Sequence, residues 1–594
     1  MCGIVGAVAQ REVADILLEG LRRLEYRGYD SAGMAVISPE GYNDRRKRVG
    51  KVEALAQALK DEPLPGRIGV AHTRWATHGE PSEVNAHPHN SGKLSLVHNG
   101  IIENHEALRA RLRELGYEFV SATDTETIVH LVHYYYQQQR DLLGAVKLAV
   151  TELEGAYGLA VIHADQPDKL VCARKGSPLV IGIGIGENFI ASDQLALRQV
   201  TDRFVYLEEG DIAEVSAGHY RIWDAQQQPV VREVSQIDTA AESADRGHYR
   251  HYMLKEIYEQ PMVIQRSLAA RLGSKKILVE TLGARANELL STVSSVQIVA
   301  CGTSYHAGMV AKYWIEGVAG VPCRVEVASE FRYRDPVLDR STLVVAISQS
   351  GETADTLEAV RHAKDQKARV LAVCNTNGSQ IPREADAVLY TRAGPEIGVA
   401  STKAFLAQVT ANYLVGLALA QARGTKYPDE VAREFADIEA MPALVARVLE
   451  TVEPVRELAR ELAHSPTILF LGRHVGYPVA LEGALKLKEL AYMHAEGFAA
   501  GELKHGPIAL IEDGVPVIVV MPSPKGRAVL HSKLLSNIRE IQARGALTVV
   551  IAEEGDEAVR PFADHLIEIP AAPTLLQPLL STVPLQVFAA EGAQ

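Results

Sequence analysis

The chain has 594 residues, a length that predicts three or four domains, each large enough to bury its own core. Its net charge of -13 argues against nucleic acid or an anionic membrane as the main partner, because both select basic faces. Its five cysteines include no CxxC pair, which is typical of a reducing cytoplasm and supports neither disulfides nor structural zinc. With no basic leader and no 18-residue apolar span in the sequence, we expect a cytoplasmic protein without a membrane segment.

The N-terminus reads MCGIVGAVAQ and places a cysteine directly after the initiator methionine. Removal of Met1 would leave Cys2 with both a thiol and a free α-amino group. The amine, with a pKa of about 7.7 to 8.0, could take the proton of a thiol whose pKa is about 8.5. Cys2 is therefore either a nucleophile that carries its own base or a small buried hydrophobe at the start of a strand.

Through about residue 235, short apolar strands alternate with two clear helical patterns, which is typical of an α+β layer fold. One helix, NHEALRARLREL, has Asn104 as its expected N-cap and ends before Gly116. The other, TDTETIVHLVHYYY, opens with a capping box formed by Thr123 and Glu126.

A stretch between the strands, AHTRWATHGEPSEVNAHPH, carries polar residues that suit either a metal or a substrate. It contains one arginine, one tryptophan and four histidines: Arg74, Trp75, His72, His78, His87 and His89. Metal-binding spacings such as HExxH are missing, so we expect no metal here. An arginine fork for a substrate carboxylate is favoured instead.

Two further signals in this half have two interpretations each. Asn99 and Gly100 follow a strand, so they form either a type I′ hairpin turn or a pair of donors for an oxyanion. Asp124 begins a helix, where it either complements the helix dipole or receives a substrate ammonium.

Residues 238–261 are polar and predict a linker that runs into a helix. Beyond it, apolar strands followed by long helices predict doubly wound parallel sheets. The layout of QIVACGTSYHAGMVAKYW returns in TILFLGRHVGYPVALEGALKLKEL, with Gly472 lying 170 residues after Gly302. The C-terminal half is therefore expected to contain two copies of one α/β domain.

The first copy places hydroxyl groups and glycines directly after two strands, in ACGTSYHAG and ISQSGET. Open α/β sheets bind ligands at this edge, and a helix N-terminus there can hold a phosphate. The alternative is that these residues only cap helices. The absence of a Walker motif excludes typical nucleotide hydrolysis. The candidate phosphate ligands are Ser304, Ser348, Gln349, Ser350 and Thr353.

The second copy lacks an SQSG counterpart and carries instead a long helix with three charges on one face, Glu482, Lys486 and Glu489. Such a stripe is ordinarily a set of solvated ion pairs. The other faces of this helix are almost entirely apolar, which predicts that the helix is buried and that its charged residues have a functional role.

The motifs CGIVG, RRLEYRGYDSAG, HTRWATHG, HNGIIEN and TDTE, in this order, resemble the class II glutamine amidotransferase family. The resemblance implies an N-terminal-nucleophile (Ntn) hydrolase fold of stacked sheets between helices, in which Cys2 attacks the glutamine amide. It implies that Asn99 and Gly100 form the oxyanion hole and that Trp75 gates ammonia. It further implies that glutamine is bound by Arg74, Thr77, His78 and Asp124.

The C-terminal half resembles two sugar isomerase (SIS) domains through ISQSGETADT, EIGVASTKAF and GELKHGP. Domain for domain, the whole chain is similar to the glutamine:fructose-6-phosphate aminotransferase family. That similarity implies a homodimer that makes glucosamine 6-phosphate and glutamate from fructose 6-phosphate and glutamine, without a cofactor. Glu489 would be the isomerising base, with Lys486 nearby and His505 opening the sugar ring from the neighbouring subunit.

These resemblances divide the chain into four segments. We expect a glutaminase domain at 2–237, a linker at 238–261, a first SIS domain at 262–440 and a second at 441–594. The sequence ends VFAAEGAQ, where the family continues to a tail resembling DxPRNLAKSVTVE. An alternative expectation follows, that the chain hydrolyses glutamine or binds sugar phosphate without coupling the two efficiently.

Overall fold

The computed structural model describes residues 2–25, 28, 30–75, 78–236, 246–273, 275–283 and 285–593. The chain divides into two compact units, Met1–Ser243 and Ala244–Gln594. Residues 238–245 of the predicted linker lie outside the described residues, and its last ten residues fall within a helix that begins at Tyr252.

The first unit is built from two antiparallel sheets. Its strands are β1 Gly3–Val8, β2 Ser31–Ile37, β3 Asn43–Val49, β4 Ile68–Arg74, β5 His89–Ser91, β6 Leu94–Ile102, β7 Gly155–His163, β8 Gln166–Lys175, β9 Val180–Ile183, β10 Asn188–Ala191, β11 Arg203–Tyr206, β12 Ile212–Ser216, β13 Tyr220–Trp223, β14 Pro229–Val230 and β15 Val234–Gln236. One sheet has the order β15-β11-β9-β10-β1-β4-β2-β3 and the other β14-β13-β12-β8-β7-β6-β5.

Five helices cover the outer faces of these sheets: α1 Ala14–Leu24, α2 Val52–Asp61, α3 His105–Glu114, α4 Asp124–Gln139 and α5 Leu142–Glu152. Ile4, Val97 and Ile162 belong to a core shared by the inner faces of the two sheets. A second core joins α1 and α2 to the first sheet, and a third joins α3, α4 and α5 to the second. The unit therefore has helix, sheet, sheet and helix layers, which confirms the predicted stacked α+β fold.

The two predicted helices of this unit are present with small differences at their caps. Thr123 accepts a hydrogen bond from the Glu126 N–H, as a capping box requires. The Glu126 carboxylate, however, accepts from the N–H groups of Val120 and Ser121, which precede the cap. Asn104 stands at the N-cap of α3, but its side chain binds the backbone of the 152–154 segment.

The second unit contains two five-stranded parallel sheets and one short hairpin. The hairpin is β16 Leu272–Gly273 and β17 Lys276–Ile277, and the other strands are β18 Ser295–Ala300, β19 Cys323–Val327, β20 Thr342–Ser348, β21 Arg369–Cys374, β22 Ala387–Tyr390, β23 Thr467–Gly472, β24 His494–Ala499, β25 Pro516–Val520, β26 Leu547–Glu553 and β27 His565–Ile569. The sheet orders are β19-β18-β20-β21-β22 and β24-β23-β25-β26-β27. Both correspond to the strand order 2-1-3-4-5, so the structure contains the internal repeat that the sequence predicted.

Thirteen helices of the described residues surround these sheets. They are α6 Tyr252–Leu268, α7 Ala286–Ser291, α8 Gly302–Trp314, α9 Ala328–Phe331, α10 Ala354–Asp365, α11 Gln380–Glu384, α12 Lys403–Arg423, α13 Pro428–Glu439, α14 Met441–Glu450, α15 Glu453–Leu462, α16 Gly476–Ala491, α17 Ala528–Gln542 and α18 Pro578–Gly592. Of these, α12 is long and apolar enough to cross a membrane, but 94% of that apolar window is buried inside the unit. It packs on α6 and α8 as a core helix.

Candidate active sites

Cys2 lies at the start of β1, beside the end of the neighbouring strand β4. The Trp75 N–H donates to Cys2 Sγ across 3.3 Å, and the thiol lies 3.5 Å from the Trp75 carbonyl oxygen. Burial raises the pKa of the Cys2 thiol above its ordinary value, and the Trp75 N–H opposes this. The thiol is therefore neutral near pH 7, and it needs a base before it can attack a carbonyl.

Asn99 and Gly100 lie inside β6 rather than in a hairpin turn. Asn99 pairs with Gly158 and Gly100 with Tyr157 of β7, so the type I′ turn interpretation is wrong. Gly100 has φ of 129°, and a Cβ there would lie 2.0 Å from the Ala156 carbonyl oxygen. The strand can pass this point only because residue 100 is glycine.

The side chain of Asn99 faces Cys2. Its Nδ2 donates to the Cys2 carbonyl oxygen across 3.1 Å. On the other side, His72 Nε2 lies 3.1 Å from the His98 carbonyl oxygen and 3.0 Å from Asn99 Oδ1. Because the carbonyl can only accept, Nε2 carries the proton, and the Asn99 atom facing it must be the oxygen. His72 thereby turns the amide donor of Asn99 toward Cys2.

The histidines behind Asn99 form a buried neutral cluster. The His72 and His87 rings stack with centroids 4.1 Å apart, and His87 meets His89 edge to face. Thr125 Oγ1 lies 2.9 Å from His87 Nε2 and 3.0 Å from His98 Nδ1. Burial lowers the pKa of His72 and of His89 to about 3 and that of His87 well below its usual value. The cluster therefore carries no charge at neutral pH.

The predicted glutamine ligands lie close to this centre. Arg74 is the last residue of β4, and it is buried. Its Nη2 donates to the carbonyl oxygens of His78, at 2.5 Å, and Gly79, at 2.7 Å. Asp124 is buried in the first turn of α4, where its Oδ2 accepts from the Ile102 N–H across 2.9 Å. Trp75 is 45% exposed, whereas Thr77 lies outside the described residues.

The candidate sugar-phosphate loop follows β20 and precedes α10. Ser348 Oγ accepts from the Gly351 N–H across 3.0 Å and lies 2.9 Å from Thr353 Oγ1. Gly351 has φ of 69°, and a Cβ there would lie 1.9 Å from Ser379 Oγ. Gln349 and Ser350 are half-buried in this loop, and Ser304 is half-buried in the first turn of α8. The loop thus holds hydroxyl and N–H groups at the carboxyl edge of the first sheet.

The three charges of α16 interact with one another. Lys486 Nζ lies 2.6 Å from Glu489 Oε2 and 3.5 Å from Glu482 Oε1. The side chains of Lys486 and Glu482 are 1% and 0% exposed, but Glu489 is 39% exposed. Burial disfavours the charge of Lys486, yet the two carboxylates outweigh it and raise its pKa. A charged lysine is therefore held next to an accessible carboxylate.

Two residues of the first repeat complete this charged group, and no sequence pattern had indicated them. Thr303 Oγ1 donates to Glu482 Oε1 across 3.0 Å, and His306 Nδ1 lies 2.7 Å from Glu482 Oε2. Both belong to α8, which is the counterpart of α16 in the repeat. Only the helix-to-helix contact between the two repeats reveals this role.

The EIGVASTKAF segment is held by two buried glutamates, Glu256 and Glu396, whose role no sequence pattern had indicated. Glu396 accepts from the N–H groups of Thr402 and Ala404, at the start of α12. Glu256 accepts from those of Ile397 and Gly398. Burial and the charge of Glu396 raise the pKa of Glu256 to about 8. The segment is therefore fixed by carboxylate-to-backbone hydrogen bonds.

His505 ends a short 3₁₀ turn, Ala500–His505, and is exposed. None of the hydrogen bonds among the described residues joins it to Lys486 or Glu489. Within the described part of the chain, no group of three or more His, Cys, Asp or Glu side chains could hold a metal ion.

Known domain families match both units. A model described as glutamine amidotransferase domain matches residues 72–199, and one described as SIS domain matches residues 289–418 and 461–592. The first match includes Arg74, Asn99 and Asp124, and the second pair includes the Ser348 loop and the charged face of α16.

The chain is similar over its whole length to bacterial proteins of one name. The chain is 60% identical over 606 residues to "Glutamine--fructose-6-phosphate aminotransferase [isomerizing]" of Mycolicibacterium paratuberculosis, covering 100% of this chain and 97% of the relative. It is 57% identical over 597 residues to the protein of the same name from Streptomyces coelicolor, with the same coverage. The structure titled "C-terminal domain of glucosamine-fructose-6-phosphate aminotransferase from Francisella tularensis" is 41% identical, with a TM-score of 0.56, and covers 59% of this chain and 98% of that one.

Proposed function

The chain belongs to the family of isomerizing glutamine–fructose-6-phosphate aminotransferases, and we propose that it transfers the amide nitrogen of glutamine to fructose 6-phosphate. The products are glucosamine 6-phosphate and glutamate. The observation that carries this proposal is the oriented Asn99 amide beside Cys2, in a chain whose other unit holds the charged Lys486 next to Glu489.

Cys2 is the proposed nucleophile of the glutaminase step. Because its raised pKa keeps the Cys2 thiol protonated, the thiol needs a base. The α-amino group freed by removal of Met1 is that base and takes the thiol proton. The sulfur attacks the side-chain amide carbon of glutamine, and the amide oxygen becomes an anion. Asn99 Nδ2 and the Gly100 N–H stabilise that anion, each donor contributing about 2.7 to 4 kcal/mol. Collapse of the tetrahedral species releases ammonia and leaves a thioester, which water hydrolyses to glutamate.

Glutamine is positioned by groups at both ends of its backbone. Arg74 binds the α-carboxylate, Asp124 binds the α-ammonium, and Thr77 and His78 line the pocket. The buried positions of Arg74 and Asp124 support these roles, because a charge in such a site interacts strongly with its partner. Trp75 is the proposed ammonia gate, and its backbone contact with Cys2 supports this proposal, because ammonia would be released at Cys2.

The sugar reaction is proposed for the second unit. Ser304, Ser348, Gln349, Ser350 and Thr353 bind the 6-phosphate of the sugar. His505 opens the ring, and Glu489 moves a proton between C1 and C2 after ammonia has condensed with the carbonyl. Lys486 stabilises the negative charge that develops on the sugar oxygen. The accessible Glu489 carboxylate beside a buried, charged Lys486 supports this assignment.

His505 lies on an exposed turn, which supports its proposed contribution to the site of a neighbouring subunit and hence a homodimer. The proposed domains are the glutaminase domain at 2–237, a linker at 238–261 and SIS domains at 262–440 and 441–594. We place the enzyme in the cytoplasm.

Replacement of Cys2 by Ala tests the glutaminase assignment. The variant should form no glutamate from glutamine, while it binds fructose 6-phosphate like the parent, because the two sites belong to separate domains. Asn99→Ala should lower glutaminase turnover about a hundredfold or more at similar glutamine affinity. Residual hydrolysis above background in Cys2→Ala would overturn the assignment.

A further inference from the structure

The second parallel sheet has a pocket of about 280 Å³ at its carboxyl edge, lined by both apolar and polar residues. Its polar lining residues are Ser523, Lys525, Glu553 and Thr574. We propose that this pocket is a second binding site for a phosphorylated hexose, separate from the Ser348 loop. The identity of the sugar rests on the proposed function, which makes a hexose phosphate the substrate and an amino-hexose phosphate the product.

The position of the pocket follows from the internal repeat. The loop after β25 corresponds to the Ser348 loop after β20, because both strands are third in their repeat and each precedes a helix. This loop, residues 521–527, contributes Ser523, Lys525 and Gly526 to the lining, and the end of β26 contributes Glu553. Carboxyl edges of parallel sheets are where α/β domains bind ligands. The second repeat has thus lost the SQSG sequence but keeps polar groups at the same place.

Buried polar atoms at the pocket have no partner within the described chain. Glu553 is 2% exposed, and its Oε2 accepts no hydrogen bond. The hydroxyl of Thr574 is likewise buried without a partner. Gln577 accepts from the Ser523 N–H through Oε1 across 3.0 Å, but its buried Nε2 donates to nothing. Such unmet groups are costly unless a ligand or water satisfies them, and two of them, Glu553 Oε2 and the Thr574 hydroxyl, belong to residues that line the pocket.

The charges at the pocket suit a phosphate together with a hydrogen-bond donor. Lys525 Nζ lies 2.9 Å from Glu553 Oε1, and the Lys525 side chain is 75% exposed, so it can turn toward a phosphate. Two 15-residue helices, α17 and α18, begin at Ala528 and Pro578, close in sequence to the lining residues, and their N-termini favour an anion. Glu553 Oε2 needs a donor, which a sugar hydroxyl or the ammonium of an amino sugar supplies.

Binding stoichiometry in the full-length enzyme tests this inference. Isothermal titration with fructose 6-phosphate and with glucosamine 6-phosphate should show two bound molecules per chain for at least one of them. Tighter binding of glucosamine 6-phosphate identifies the ammonium as the group that Glu553 receives, and equal binding identifies a hydroxyl. Both results support the pocket.

Variants assign each bound molecule to its site. The double variant Glu553→Gln, Thr574→Val should lose one of the two bound molecules, or bind it at least tenfold more weakly. Its rate of amino-sugar synthesis at saturating substrates should equal that of the parent. Ser348→Ala combined with Thr353→Ala should weaken the other. Lys525→Ala, at an exposed position, repeats the test if the double variant folds poorly. Lys533→Ala changes an exposed lysine of α17 outside the lining and should change nothing.

The second site would be overturned if the parent chain binds only one molecule, and if that molecule is lost in the double variant at Ser348 and Thr353. Changes at Glu553, Thr574 and Lys525 would then leave its binding unaffected. The proposed function would stand in that case, because synthesis is measured separately. If the parent chain binds two molecules but makes no glucosamine 6-phosphate, the proposed function is overturned and the second site still stands.

Discussion

His72 donates its Nε2 proton to Asn99 Oδ1 across 3.0 Å, so the orientation of one buried amide is set by one buried imidazole. The Nδ2 of that amide lies 3.1 Å from the Cys2 carbonyl oxygen. His72 touches no reacting atom in the proposed mechanism, and it acts by fixing the donor that does.

We predict that His72→Leu lowers glutaminase turnover about tenfold or more and changes the KM for glutamine little. Without the imidazole, the Asn99 amide is free to turn, and its donor is lost mainly for the developing oxyanion. His72→Gln can place an N–H near the Nε2 position and should restore most of the rate. The double variant His72→Leu, Asn99→Ala should be no slower than Asn99→Ala alone. Additive losses would show that His72 acts by another route.

The buried histidines also predict that the first unit loses stability in mild acid. The pKa of His72 and of His89 is lowered to about 3, against about 6.5 in the unfolded chain, and that of His87 is lowered as well. The unfolded state therefore binds more protons below pH 6.5, and stability falls as pH falls from 6.5 toward 3. Each histidine contributes up to about 1.4 kcal/mol per pH unit, or about 4 for the three.

Urea unfolding of the full chain, followed by the fluorescence of its tryptophans, measures this slope between pH 7 and pH 5. Two of the three tryptophans, Trp75 and Trp223, belong to the first unit. His89→Gln removes one titrating group and should reduce the slope by up to about 1.4 kcal/mol per pH unit. Stability that stays level down to pH 5 would contradict the neutral cluster.

The contact between Glu482 and Lys486 predicts a change in the pH dependence of sugar isomerisation. Glu482→Gln keeps a carbonyl oxygen for one of its two partners, Thr303 or His306, and places an NH2 group against the other. It also removes one of the carboxylate charges that raise the pKa of Lys486. The pKa of Lys486 should fall, and the alkaline limb of the isomerisation profile should move to lower pH. A purely structural role of Glu482 would lower the rate without moving the profile.

Glu489→Gln is the matched variant on the same helix face. It removes the proposed base, so isomerisation should be lost at every pH while fructose 6-phosphate still binds. Parent-like isomerisation in Glu489→Gln would require another base.

Local sequence was sufficient where local forces decide the structure. The Thr123 cap of α4 and the doubly wound repeats follow from capping residues and hydrophobic periodicity over short windows. Glu482, Lys486 and Glu489 could be placed on one face because helical spacing alone brings them together.

Long-range contacts explain what the sequence could not predict. Asn99 and Gly100 have the composition of a turn, but pairing with Gly158 and Tyr157, more than fifty residues away, keeps them in a strand. The contact of His306 with Glu482 joins residues 176 positions apart in two different repeats. No local pattern encodes either contact, since each depends on how complete layers pack.

The most direct test of the proposed function follows both products in one assay with glutamine and fructose 6-phosphate. We predict that glucosamine 6-phosphate forms together with glutamate, that it requires both substrates, and that Cys2→Ala forms neither product from glutamine. Release of glutamate without any glucosamine 6-phosphate would contradict the proposed function and would identify the chain as a glutaminase uncoupled from amino-sugar synthesis.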